Sequence, residues 1–61
     1  MKRRQLLKHL KKHGCRLLRE GSSHTVFWNP ENYQTTVVPR HTEILDKLTF
    51  KICKDLGIPK V

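Results

Sequence analysis

Sixty-one residues carrying 13 Lys and Arg against 5 Asp and Glu give a formal net charge of +8 at pH 7. A chain this short forms one domain, residues 1–61, whose thin core buries only ~60% of the unfolded surface and leaves no room for a deep cofactor pocket. The charge density points to a polyanionic partner. No apolar run approaches the ~18 residues that span a bilayer, and no apolar stretch of the kind a signal peptide needs follows Met1-Lys2-Arg3-Arg4. The expected location is the cytoplasm, with no membrane partner.

Residues 2–13 are predicted to form a helix, because Leu6, Leu7 and Leu10 fall on one stripe while Lys and Arg cover the rest. Gly14 follows as a C-terminal cap, behind a last turn of Lys11, Lys12 and His13 that suits the helix dipole. His9 and His13, on this basic helix, are expected to be solvated. Cys15 to Arg19 reads as a first strand, ended by Glu20-Gly21-Ser22-Ser23, and His24 to Asn29 as a second, rich in β-branched and aromatic residues. Parity sets Val26 and Trp28 on one side and Thr25 and Phe27 on the other, so one aromatic turns away from the helices. The alternation does not say which. Trp28 is then either a cross-strand packing residue or a surface on which a base stacks.

Asn29-Pro30-Glu31-Asn32 is a turn signal, and Gln34 to Val38 a third strand stopped by Pro39. Short connections favour an antiparallel meander. Leu45, Leu48, Thr49, Ile52, Cys53 and Leu56 recur at helical spacing, with Asp46 or Thr42 as the expected cap and Gly57-Ile58-Pro59 as the stop. The reading is an α+β fold, ordered α-β-β-β-α, with two amphipathic helices on one face of a three-stranded antiparallel sheet, since that arrangement buries both stripes at once. Cys15 and Cys53 never form a Cys-x-x-Cys pair and are expected as buried free thiols.

His24 carries the most chemical information. At a strand start beside a glycine-serine turn it is either a polar residue closing the turn or a group that moves protons near neutral pH. Around it, Gly21, Ser22 and Ser23 offer close backbone approach, hydroxyls and amides to a phosphate, and Arg40 offers a guanidinium. Lys8 and Lys12 on the first helix are candidates for RNA backbone contacts that position without reading sequence. Cys15, His24, His41 and Cys53 have zinc-ligand chemistry but no recognised zinc spacing, so no metal or cofactor is expected.

Gly21-Ser22-Ser23-His24, the aromatic strand after it, Val38-Pro39-Arg40-His41 and the closing Leu56-Gly57-Ile58-Pro59, in that order, resemble the HicA toxin family. The resemblance covers nearly the whole chain. It implies a fold like a double-stranded-RNA-binding domain, endonuclease activity on messenger RNA, His24 as the catalytic histidine, and a HicB antitoxin that covers the site. RNA supplies its own nucleophile, the 2′-hydroxyl, so the expected reaction needs no metal. It requires deprotonation of that hydroxyl, stabilisation of the phosphate and protonation of the departing 5′-oxygen. His24 alone is favoured as catalytic. His41 is assigned to RNA contact, and either His41 or Glu20 would be the second proton-transfer group if one exists. The alternative function is a non-catalytic RNA-binding module of the same fold, and a third reading is an interaction subunit whose charge serves only an acidic protein.

Overall fold

The computed structural model describes residues 1–61. It comprises α1 (Arg3–Lys12), β1 (Arg16–Glu20), β2 (His24–Asn29), β3 (Gln34–Pro39) and α2 (Asp46–Leu56). The sheet is antiparallel with β2 between its sequence neighbours, so the predicted α-β-β-β-α meander is the observed one.

Both helices cover one face. Leu6 and Leu10 of α1, Ile52, Cys53 and Leu56 of α2, Phe27 of β2 and Val38 of β3 share one core with Cys15 and Ile44. Burial alternates along β2: Thr25, Phe27 and Asn29 turn inward, Val26 and Trp28 outward. Phe27 is therefore the core aromatic and Trp28 the one that faces away. The whole of β1 is exposed. The helices stop short of this edge, which is marked by Arg16, Arg19 and Glu20 and by an irregularity in the pairing between Leu17 and Arg19, features that discourage further strand pairing. Both cysteines are buried free thiols. Burial raises the pKa of each, and for Cys15 the neighbouring Cys53 raises it further.

Each helix ends in the same device. Past α1, Gly14 lies at φ +84°, the Cys15 N–H reaches the Leu10 carbonyl at 2.9 Å and the Gly14 N–H reaches Lys11 at 3.0 Å. Past α2, Gly57 lies at φ +68°, with Ile58 bonded to Cys53 at 3.0 Å and Gly57 to Lys54 at 3.1 Å. These paired bonds satisfy carbonyls that the helix leaves orphaned, and the left-handed residue they require suits glycine. The second end is reinforced by the β2–β3 turn: the side-chain amides of Asn29 and Asn32 donate to the Leu56 carbonyl at 2.8 and 3.1 Å.

The start of α2 departs from expectation. Leu45 is the cap residue and no side chain caps it. Asp46 instead lies in the first turn, 3.5 Å from the amino group of Met1. Thr42 serves the other helix, its carbonyl accepting the Arg3 N–H at 2.8 Å. The segment before α2 runs against the chain start, with Lys2 bridged to Glu43 and the Ile44 N–H on the Met1 carbonyl at 2.8 Å. This segment supplies a distant acceptor for one orphan donor of α1, the Arg3 N–H, which no local cap signal could announce. His9 also departs from a solvated role. Its Nε2 donates to the Pro59 carbonyl at 2.7 Å, and its ring meets that of His13 edge-on at 4.5 Å.

Candidate functional site

The site lies where β2 begins and β3 ends. Gly21-Ser22-Ser23-His24 forms the β1–β2 hairpin, closed by the Gly21 N–H on the His24 carbonyl at 2.8 Å. A Cβ on residue 21 would stand 3.2 Å from that same oxygen, so glycine permits the tight closure that starts β2 at His24. The Ser23 hydroxyl lies 3.2 Å from His24 Nδ1, which orients the ring and leaves Nε2 for another partner. Across the ladder His24 is paired with Pro39, whose ring removes a donor at the last rung.

His24 is exposed and lines a shallow depression of about 340 Å³ with Val37, Pro39, His41 and Leu48. Two imidazoles thus share one concavity built from β2, β3, the connector and α2. Glu20 does not join them: its carboxylate is 3.6 Å from the Arg40 guanidinium, and the pair spans the end of β1 and the segment after β3.

Arg40 belongs to a second, basic concavity of about 440 Å³, lined by Lys2, Arg3, Arg4, Leu7, Arg40 and Thr42. Arg3 ties this concavity to the His24 end of the sheet. Its Nε donates to the Pro39 carbonyl at 2.9 Å and its Nη2 to Thr25 Oγ1 at 3.1 Å. Thr25 follows His24, and Pro39 is its cross-strand partner. One guanidinium therefore links the hydroxyl of the residue after His24 to the backbone of the cross-strand partner of His24. Lys2 is partly offset by Glu43, whose carboxyl is held below the usual carboxylate range by the hydrogen bond from Lys2. Arg3 and Arg4 have no acidic residue in the same helical turn.

A family model for the HicA toxin of bacterial toxin–antitoxin systems matches residues 3–58. The chain belongs to the HicA toxin family. Neither a curated protein nor a solved structure matches it significantly.

In this HicA protein the residues singled out in the sequence divide into three places. Gly21, Ser22, Ser23, His24 and His41 gather at the β2 start, with His24 and His41 in one depression. Arg40 turns to the basic concavity. Lys8 and Lys12 lie exposed on α1 and line neither depression. Cys15 and Cys53 lie in the core whereas His24 and His41 are exposed, so these four side chains do not converge. No helix is long and apolar enough to cross a membrane. Sequence reasoning missed Arg3 as a positioning residue. The available signal was its place in the first turn of a helix with no acid there, where a cation opposes the macrodipole and gains from a partner elsewhere.

Proposed function

We propose that this HicA protein is a metal-independent endoribonuclease that cleaves messenger RNA through His24 and is held inactive by a HicB-like antitoxin covering that histidine. The observation that supports this reading best is the shared depression: an exposed histidine, braced at Nδ1 by Ser23, beside a second histidine and one strand end away from a concavity rich in Lys and Arg.

In this reading the phosphate backbone is held by Arg3, Arg4 and Arg40, charge-assisted donors suited to a phosphodiester, and His24 meets the scissile nucleotide. His24 Nε2 takes the proton of the 2′-hydroxyl. That oxygen attacks phosphorus, the bond to the 5′-oxygen breaks, and the departing oxygen is protonated, giving a 2′,3′-cyclic phosphate and a 5′-hydroxyl. His41 shares the depression and is the side chain suited to supply the last proton, whereas Glu20 is engaged by Arg40. General acid–base assistance of this kind contributes ~10²–10⁴-fold per group. Positive charge around the site also favours an acidic surface on the antitoxin.

The test is incubation of the purified protein with long single-stranded RNA in excess EDTA, beside its His24→Ala variant, both shown to be folded by circular dichroism. Cleavage by the parent alone supports the reading. RNA bound but left intact by both proteins would replace it with a non-catalytic binding module.

A further inference from the structure

The outer face of the sheet, uncovered by either helix, carries two aromatic rings that the cleavage chemistry does not use. Trp28 and Tyr33 lie with ring centroids 6.1 Å apart and planes inclined by 23°, and Tyr33 is 78% exposed. Tyr33 is also the sole non-glycine residue at positive φ, +60°, a conformation unfavourable for a bulky L-residue. The β2–β3 turn holds it there. The Tyr33 N–H donates to the Asn29 carbonyl at 2.7 Å, and Asn32 Oδ1 accepts the Gln34 N–H at 2.9 Å. Glycine would meet the same backbone geometry without steric cost. The turn instead carries a largely exposed ring stacked against Trp28, an outlier of the kind that argues toward function.

The surroundings of this surface are cationic. The β1 partners of Val26 and Trp28 are Arg19 and Arg16, and the β3 partners of His24, Val26 and Trp28 are Pro39, Val37 and Thr35. No carboxylate occurs among these paired positions. His24 begins the same strand on the same side, four residues from Trp28, or about 13 Å at ~3.3 Å per residue. Aromatic rings flanked by arginines suit unpaired bases, whose faces are open, and not a duplex, whose faces are already stacked.

We propose that Trp28 and Tyr33 form a stacking platform for a base of single-stranded RNA, a few nucleotides from the phosphate at His24, with Arg16 and Arg19 neutralising the backbone between. The placement relative to the cut rests on His24 as the cleavage centre; the platform itself is tested by binding. Trp28 is the single tryptophan, so its fluorescence reports directly. The His24→Ala variant is titrated with oligoadenylate and with an abasic ribose-phosphate oligomer of equal length and charge, at one salt concentration. Oligoadenylate is expected to quench Trp28 and to bind about 5-fold or more tighter than the abasic strand. Tyr33→Gly on the same background is expected to keep or raise the thermal midpoint while losing that advantage. Equal binding of the two strands without quenching, or an advantage untouched by Tyr33→Gly, overturns the platform and leaves the face to a protein partner. Base-dependent quenching in a protein whose parent form cuts no RNA would remove the ribonuclease reading and keep the platform. Cleavage without such quenching would do the reverse.

Discussion

Gly14 and Gly57 provide a matched pair for separating two costs. Both lie in the left-handed region at the end of a helix, at φ +84° and +68°, but a Cβ on Gly14 would meet nothing within 4 Å, whereas one on Gly57 would stand 2.7 Å from Asn32 Nδ2. Replacing either by Ala incurs the left-handed penalty of about 1–2 kcal/mol, offset by about 0.4–1 kcal/mol from a stiffer unfolded chain. Gly14→Ala should therefore cost about 1 kcal/mol. Gly57→Ala must also push Asn32 aside and break its bond to the Leu56 carbonyl, a further loss of about 1 kcal/mol. The penalty stops there because Asn29 still donates to that carbonyl at 2.8 Å. The expected totals, about 1 and 2 kcal/mol, correspond to falls in thermal midpoint of roughly 4–8 °C and 8–16 °C for a domain this small. Urea and thermal denaturation followed by circular dichroism read both. Adding Asn32→Ala to Gly57→Ala should cost less than Asn32→Ala alone, since the bond to Leu56 is already gone and only the one from the Gln34 N–H is left to lose. A Gly57→Ala cost no larger than that of Gly14→Ala would refute the collision argument.

Arg3→Lys keeps the charge but loses the fork that reaches both Pro39 and Thr25. It should cost about 2 kcal/mol in urea denaturation and lower RNA cleavage at unchanged net charge; wild-type stability and rate would show that the fork positions nothing. Asp55 is held below the usual carboxylate range first by the hydrogen bond from Lys51 and also by that from Thr36, and Glu43 chiefly by that from Lys2. Both titrate lower in the folded chain than in the unfolded one, so their stabilisation is complete above the ordinary carboxylate pKa of about 4 and is lost as pH falls through the lowered folded values. Thermal midpoints from pH 7 to pH 2 should therefore drop on the acid side, less steeply in Asp55→Asn. Burial raises the Cys53 pKa, and burial with Cys53 nearby that of Cys15. Both thiols should resist alkylation at pH 7.5 until urea unfolds the chain, and fast native alkylation would contradict their placement in the core.

Element order and the faces of both helices were legible because they rest on local period: Leu6 and Leu10 in α1, and Thr49, Ile52, Cys53 and Leu56 in α2, are the buried positions. Alternation in β2 was equally legible, but its sense was not. Whether Phe27 or Trp28 turns inward depends on which side the helices cross, a tertiary choice. Caps failed where the partner is distant, as with Thr42 on Arg3 and His9 on Pro59. At the site, the grouping of His24 with Gly21, Ser22 and Ser23 follows from a hairpin and was readable along the chain. The company of His41 and Leu48, the diversion of Glu20 to Arg40, and the stack of Tyr33 on Trp28 arise from packing across strands and loops. Local spacing cannot encode them.

In the proposed reaction His24 drives attack by the RNA 2′-hydroxyl. Mass spectrometry of the end groups released from single-stranded RNA in excess EDTA tests it most directly. Fragments with 2′,3′-cyclic phosphate and 5′-hydroxyl ends are expected from the parent protein and none from a folded His24→Ala variant. Fragments with 5′-phosphate ends, or the same fragments from the variant, would contradict it.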